Sequence, residues 1–189
     1  MHPDLTKVLF NEKEIAEAVA RLGKQISTDY AGKKILLVSV LKGAFIFMAD
    51  LLRQIKGDVE IDFMAVASYG VEANSSGVVR IIKDLETQLE DRHVLIVEDI
   101  LDSGLTLSYL IKNIRSRHPL SLEIVTLLIK EGKQEGRVDC KYVGLVCPDE
   151  FVVGYGLDYS ERYREIPYIG ALNPAVYDDW DGKASLSSE

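Results

Sequence analysis

The fold can be predicted outward from one segment of the chain, Val94-Leu95-Ile96-Val97-Glu98-Asp99-Ile100-Leu101-Asp102-Ser103-Gly104-Leu105-Thr106-Leu107-Ser108-Tyr109-Leu110. It begins with an unbroken apolar run, 94–97, which is typical of a strand buried on both faces of a parallel sheet. Beyond Gly104, apolar residues recur at helical spacing and predict a helix with one apolar face: Leu107, Leu110, Ile111 and Ile114. The segment therefore predicts a strand, an acidic turn and a helix in succession.

The polar residues of this segment suit a ligand that carries both a phosphate and a diol. The first N–H groups of a helix are unpaired and lie at the positive end of its dipole, so they bind phosphate readily. We expect such a phosphate loop at Ser103, Gly104, Leu105 and Thr106. Just upstream, Glu98 and Asp99 can accept hydrogen bonds from ribose hydroxyls or hold a hard divalent cation. The alternative is that these acids and Ser103 only cap the helix and solvate a turn.

Length and composition favour one acidic domain. The chain has 189 residues, with 30 acidic and 22 basic side chains and a formal net charge of −8. This balance argues against a general nucleic-acid-binding or anionic-membrane surface. Cys140 and Cys147 are too few for a disulfide framework or a zinc site, which favours reduced thiols and a cytoplasmic location. The start of the chain lacks the apolar region of a signal peptide, and residues 35–52 are interrupted by Lys42-Gly43, so no membrane span is expected.

Alternating helices and strands are predicted along the rest of the chain. Helices are expected from the N-cap Asn11 to Tyr30 and over 44–55, and further strands over 34–41, 59–67, 78–84, 120–129 and 142–146. We therefore expect an α/β fold, a doubly wound and mainly parallel sheet with an antiparallel flexible flap and a small C-terminal hood subdomain. A single domain should span residues 1–177, and residues 178–189 should form a disordered polar tail.

Two loops next to the predicted strands have open interpretations. Lys42-Gly43 lies at a strand's carboxyl end, where a lysine is most often a solvated turn residue. Residues 68–77 are rich in turn formers and predict either a hairpin connection or a mobile lid. Lys130 places a further cation at the end of strand 120–129.

The nonapeptide from Glu98 to Thr106, preceded by its apolar run, resembles the phosphoribosyl-diphosphate signature of the type I phosphoribosyltransferases. The resemblance extends from about Asn11 to Tyr177 and is strongest to the hypoxanthine-guanine phosphoribosyltransferases. Those purine salvage enzymes transfer 5-phosphoribose from 5-phosphoribosyl 1-diphosphate to N9 of a 6-oxopurine, giving IMP or GMP and pyrophosphate. The resemblance implies the type I phosphoribosyltransferase fold, a magnesium cofactor and a homodimer or homotetramer.

The resemblance also implies roles for individual residues. Phosphoribosyl-phosphate binding falls to Glu98, Asp99, Asp102, Ser103, Gly104, Leu105 and Thr106. Leu105 departs from many relatives, which have a polar residue there, but such a loop binds phosphate mainly through main-chain N–H groups. Pyrophosphate binding falls to Lys42, Gly43 and Arg164, with a cis peptide bond before Lys42. The tip of the flexible lid corresponds to Ser68 and Tyr69.

On the base side, Lys130 resembles the lysine that donates to the purine 6-oxo oxygen. Phe151 resembles the stacking ring and Val152 the main-chain reader of the base. Asp158 resembles a metal ligand beside the base, so the implied metal ligands are Glu98, Asp99 and Asp158. Asp102, beside the phosphate loop, is the expected catalytic group that takes or steadies the N7 proton as N9 attacks.

Two other functions fit the same signature. One is transfer to xanthine or a pyrimidine, which Lys130 and Phe151-Val152 make less favourable. The other is a nucleic-acid-binding regulator that senses phosphoribosyl diphosphate, which should carry a basic face or an added DNA-binding domain. The relative preference for hypoxanthine, guanine and xanthine does not follow from the sequence.

Overall fold

The computed structural model describes residues 1–68, 79–102, 104–132 and 138–177. Within them the elements follow in the order β1 (Leu5–Phe10), α1 (Glu12–Asp29), β2 (Lys34–Leu41), α2 (Phe45–Gln54), β3 (Asp58–Ser68), β4 (Val79–Lys83), β5 (His93–Leu101), α3 (Leu105–Arg115), β6 (Ser121–Lys130), β7 (Tyr142–Cys147), β8 (Val152–Val153), β9 (Ile169–Leu172) and α4 (Pro174–Tyr177). Residues 178–189, predicted to be a disordered tail, lie outside the described residues.

The described strands of the main sheet number six, in the order β4-β3-β2-β5-β6-β7. Pairing is parallel from β3 through β7 and antiparallel between β3 and β4. The α/β sheet and its antiparallel flap therefore confirm the predicted fold class, although residues 69–78 of the flap lie outside the described part. Strand order reverses between β2 and β5, and such a reversal leaves a crevice at the strands' carboxyl ends.

Local sequence accounts for the helix that begins the main domain. The Asn11 side chain accepts the N–H of Glu14 at 3.0 Å, and the Glu14 carboxylate accepts the N–H of Asn11 at 2.8 Å. This capping box satisfies N–H groups that the first turn would leave unpaired. The apolar stripe predicted for this helix is buried: Ile15, Ala18, Val19, Leu22 and Ile26.

The sheet is covered on both faces, as its continuous apolar strands require. On one face α1 and α2 pack over buried residues such as Leu37 and Leu95, and on the other α3 packs over Leu36 and Ile96. In the described residues, no helix combines the length and apolar character needed to span a bilayer.

A second sheet forms the hood, with the described strands in the order β1-β9-β8. The hood at the C-terminal end of the chain was predicted, but its use of the N-terminal strand β1 was not. Leu5 pairs with Leu172, and Val8 with Gly170, so the two ends of the domain meet in one sheet. The hood has its own cluster of buried residues, which includes Val153 of β8 and Tyr163 of the loop before β9.

Candidate active site

The crevice between β2 and β5 brings the predicted pyrophosphate loop against the acidic turn. The Leu41–Lys42 peptide bond is cis, as the resemblance implies. A Cβ atom on Gly43 would overlap the carboxylate of Asp99, and one on Gly156 would overlap the Gly43 carbonyl oxygen. Gly156 also has a φ of +100°, which favours glycine. Close approach of the two main chains therefore requires glycine at position 156, whereas Gly43 leaves room for the Asp99 carboxylate.

Glu98 and Asp99 serve different parts of the crevice. Successive side chains of a strand point to opposite faces. Glu98 lines a cavity of about 200 Å³, together with Val40, Asp102, Gly104 and Thr106 among others. Asp99 instead packs against Gly43, and its Oδ1 accepts the N–H of Ile100 at 2.7 Å. The predicted carboxylate pair is therefore divided between a phosphate-loop cavity and the pyrophosphate loop.

Both carboxylates lie where a negative charge is poorly solvated. Burial, reinforced by the neighbouring charge of Asp99, raises the pKa of Glu98 to about 8, although part of Glu98 is still accessible. Burial also raises the pKa of Asp99, which the nearby Arg164 guanidinium only partly offsets. Adjacent carboxylates with raised pKa values are stabilised as anions by a bound cation. This electrostatic state fits a divalent metal.

The side chains of the described residues alone do not provide a complete set of ligands for a metal ion. In the described part of the chain, no group of three or more His, Cys, Asp or Glu side chains could hold a metal ion together. Mg²⁺ commonly uses one or two carboxylates, several waters and substrate phosphate oxygens. The arrangement is therefore suited to a metal that binds together with its phosphorylated ligand.

The start of α3 forms one wall of the 200 Å³ cavity. Gly104 is the N-cap, with a φ of +69°, and its carbonyl accepts the N–H of Ser108 at 2.8 Å. A glycine brings no capping side chain, and the first helical turn contains no acidic residue. The N-cap and the first turn therefore add no negative charge at this helix start, and such a start favours an anion. Ser103 and the side chain of Leu105 lie outside the described parts of the structure.

Lys130 connects the phosphate-loop cavity to the expected base site. Its side chain is 12% exposed, and its Nζ lies 3.2 Å from Asp102 Oδ2 and 3.5 Å from Asp149 Oδ1. Asp149, which follows β7 at the same end of the sheet, was not predicted as a site residue. In the sequence, Pro148-Asp149 follows a predicted strand, and such a pair indicates only a turn. Asp149 and Asp102 together orient the lysine ammonium group.

The aromatic surface of the expected base site is contributed by the hood and its flanking loop. Phe151 is 40% exposed, and its ring lies 5.3 Å from that of Tyr177 and 5.6 Å from that of Tyr159. Val152 is buried and pairs with Ala171 in the hood sheet. The two tyrosines were not predicted as site residues, because nothing local in the sequence indicates which rings meet Phe151.

Arg164 and Lys42 meet at the hood side of the crevice. Arg164 Nη2 lies 2.9 Å from Asp158 Oδ1, and Arg164 Nη1 donates to the Gly156 carbonyl at 2.8 Å. Lys42 Nζ lies 3.0 Å from Glu161 Oε2. Among the described residues, the buried Nε of Arg164 has no hydrogen-bond partner. Predicted residues of the loop, the turn and the hood thus converge on one place, whereas Tyr69 and the side chain of Ser68 lie outside the description.

Known proteins resemble this chain over nearly all of its length. Residues 6–160 match the family described as the phosphoribosyl transferase domain. A hypoxanthine-guanine phosphoribosyltransferase of Bacillus subtilis is 52% identical over 94% of this chain and 99% of its own. A bifunctional TilS/HprT protein of Listeria monocytogenes is 51% identical over 95% of this chain, which spans only 28% of that relative. A crystal structure of a hypoxanthine phosphoribosyltransferase of Staphylococcus aureus, 50% identical, matches with a TM-score of 0.90 over 94% of this chain and 96% of that one.

Proposed function

The chain belongs to the phosphoribosyltransferase family, in its hypoxanthine-guanine branch, and we propose on that basis that it is a purine salvage enzyme. It transfers 5-phosphoribose from 5-phosphoribosyl 1-diphosphate to N9 of hypoxanthine or guanine, giving IMP or GMP and pyrophosphate. The observation that carries the proposal is the end of β5, where Glu98 lines a cavity with the start of α3 and Asp99 lies against Gly43 and near Arg164. Its relatives favour this enzyme over a nucleic-acid-binding regulator.

The two halves of the crevice match the two ends of the sugar substrate. The 5-phosphate binds the first N–H groups of α3 with Thr106, in the cavity beside Glu98 and Asp102. The pyrophosphate binds Lys42 and Arg164 on the other side of Asp99. With both ends of the substrate held, C1 of the ribose faces the incoming base, and the two reactants are held in a reactive orientation.

Magnesium fits this site because the carboxylates Glu98 and Asp99 have raised pKa values and would be stabilised as anions by a cation. Glu98 and Asp99 would hold one ion on the ribose side, and Asp158 would hold a second ion on the base side. When bound, magnesium supplies positive charge that offsets the charge of the departing pyrophosphate. Lys42 and Arg164 bind the same leaving group.

Lys130 and Phe151 select and orient the base. The Lys130 ammonium donates to the 6-oxo oxygen of hypoxanthine or guanine, whereas the 6-amino group of adenine would leave that donor unpaired. The partly exposed ring of Phe151 offers a face on which a purine stacks. The main chain of Val152 reads the base edge.

Asp102 is the residue that takes the N7 proton while N9 attacks C1. Its carboxylate lies 3.2 Å from Lys130 Nζ, so it is close to the group that positions the base. A positioned general base is most effective within hydrogen-bond reach of the proton it removes. Closure of the lid at Ser68-Tyr69 would exclude water from the cationic ribose centre.

Self-association is supported by apolar side chains beside the crevice. Leu41 and Phe45 flank the pyrophosphate loop and are 40% and 43% exposed, and Ile82 on the edge strand β4 is 68% exposed. Exposed apolar residues near an open edge favour a partner surface. We expect a homodimer or homotetramer of the 21.1 kDa chain. Light scattering that gives a monomer mass at micromolar concentration would contradict this.

The cytoplasmic location is supported by Cys140 and Cys147, which are both free thiols. Fractionation that finds the protein in an oxidising compartment would contradict it.

The assay that tests the proposed function measures nucleotide formation from 5-phosphoribosyl 1-diphosphate and each of hypoxanthine, guanine, xanthine and adenine. IMP and GMP should form in the presence of magnesium, and AMP should form far more slowly. The same samples titrated with RNA and DNA test the regulator. Absence of nucleotide formation from both 6-oxopurines would overturn the proposal.

A further inference from the structure

Glu161 lies between the two cations that are proposed to bind pyrophosphate. Its Oε2 accepts from Lys42 Nζ at 3.0 Å and from Arg164 Nη2 at 3.2 Å. Lys42 comes from the end of β2, and Arg164 comes from the loop that leads into β9. One carboxylate oxygen therefore occupies a position that both cations share.

The turn that carries Glu161 is held by its own main chain. The N–H of Glu161 donates to Asp158 Oδ2 at 2.9 Å. Tyr159 and Arg162 exchange main-chain hydrogen bonds of 3.2 and 3.1 Å, and Ser160 and Glu161 both have positive φ. This tight turn fixes the backbone of Glu161 while the side chain extends across to Lys42.

Both cations at this place already face carboxylates. Lys42 and Arg164 each carry one positive charge, and Glu161 and Asp158 each carry one negative charge, with Arg164 paired to both acids. The hydrogen bond from Lys42 and then that from Arg164 hold the pKa of Glu161 below its usual range, so it is an anion at neutral pH. A pyrophosphate oxygen that bridges the two cations would need the space and the bonds of this carboxylate.

Displacement of the Glu161 side chain is easy. The side chains of Glu161 and Lys42 are 64% and 63% exposed, whereas that of Arg164 is 18% exposed. Exposed ion pairs are weak because water screens them and because ordering long side chains costs entropy. The carboxylate can therefore move into solvent when a stronger, multiply charged anion arrives.

We propose that Glu161 is an internal competitor for the pyrophosphate subsite, which pairs with Lys42 and Arg164 when the subsite is empty and leaves when pyrophosphate binds. The inference rests on the proposed function and deepens it, because it adds a residue that sets how tightly the leaving group is held. Competition of this kind weakens retention of pyrophosphate and speeds its release. It also keeps both cations paired between turnovers.

The test compares Glu161→Gln with Glu165→Gln by calorimetric titration with inorganic pyrophosphate and magnesium. Both changes remove one negative charge, but the exposed Glu165, although it follows Arg164 in the chain, lines a separate cavity together with Asp50 and Arg53. Glu161→Gln should bind pyrophosphate about two- to tenfold more tightly than the wild type, as expected for the loss of weak competing ion pairs. Glu165→Gln should stay within about twofold, because the exposed Glu165 charge is screened by salt.

A gain in affinity is a result that damage to the fold does not produce. Product inhibition by pyrophosphate should become stronger in Glu161→Gln by the same factor. Glu161→Asp, which keeps the charge but shortens the reach to Lys42, should shift affinity in the same direction. Unchanged or weaker binding in folded Glu161→Gln would overturn the proposal, since it would mean that Glu161 helps to hold the cations for the ligand. If the wild type binds no pyrophosphate at all, the proposed function fails instead.

Discussion

Lys130 offers the sharpest test of how the site selects its base. Lys130→Met removes the charged donor and keeps an unbranched side chain of similar size. Because the Lys130 side chain is only 12% exposed, its hydrogen bond to a 6-oxo oxygen would form away from most of the solvent. A hydrogen bond to a charged group contributes about 1.5–3 kcal/mol. That range corresponds to a loss of about 10- to 150-fold in kcat/KM for hypoxanthine, at 1.4 kcal/mol for each factor of ten.

Lys130→Met should also have a second effect, which the assay must separate from the loss of base recognition. Lys130 pairs with Asp102 and Asp149, so its removal leaves both carboxylates without that partner. Any change in the proposed role of Asp102 as proton acceptor would affect hypoxanthine and adenine alike. The ratio of kcat/KM for hypoxanthine to kcat/KM for adenine cancels this common effect and isolates recognition of the 6-substituent.

Lys141→Met serves as the matched control. Lys141 lies just before β7, at the opposite end of that strand from the crevice, and pairs with Asp29 at 3.4 Å. Lys141→Met loses the same charge and an ion pair with an aspartate. Its ratio of kcat/KM for hypoxanthine to kcat/KM for adenine should therefore equal that of the wild type. If Lys130→Met keeps the wild-type ratio as well, Lys130 does not read the 6-oxo group, and base selection must come from elsewhere in the site.

Three further predictions concern the acidic turn and its neighbours. Asp102→Asn should slow single-turnover nucleotide formation by about 10²–10⁴-fold while substrate binding changes little, and a change below threefold would exclude a general base. Gly43→Ala should weaken pyrophosphate binding in calorimetry, because the alanine Cβ would overlap the Asp99 carboxylate. Unaltered affinity would show that the Asp99 side chain can move aside without affecting the binding site. The pKa of Glu98 is raised to about 8 from 4.5, so the metal-free native state holds the proton and loses stability as pH rises between these values. Glu98→Gln should flatten that fall in thermal unfolding midpoints, and parallel curves would contradict the raised pKa.

Elements with strong local signals were predictable from the sequence. The capping box at Asn11 and the apolar run of β5 depend on residues close together in the chain, and both are present. The strands β1 and β9 were not predicted, because each is short and is stabilised by the other end of the chain. Leu5 pairs with Leu172, and no periodicity within either segment indicates such a partner.

The same distinction applies to the site. Residues next to the signature could be assigned from a short stretch of chain, and Lys42 and Arg164 could be assigned by resemblance. Glu161 could not, because its role depends on a contact with Lys42, 119 positions away. An exposed glutamate in a polar loop gives no signal of its own. Side chains that balance the charge of a ligand subsite become visible only when the elements that carry them are placed together.

The different positions of the Glu98 and Asp99 side chains, by contrast, follow from a feature that the sequence contains, because successive residues of a strand point to opposite faces. Because β5 continues through both residues, neighbouring acids reach different sides of its end, one toward the start of α3 and one toward Gly43. Packing then accounts for their order. The Asp99 carboxylate already lies against the Gly43 main chain, so a glutamate there would push one more methylene into the pyrophosphate loop. The cavity of about 200 Å³ beside Glu98 has room for the longer side chain and for a ligand. Strand geometry, side-chain length and charge together therefore explain why glutamate precedes aspartate in this turn.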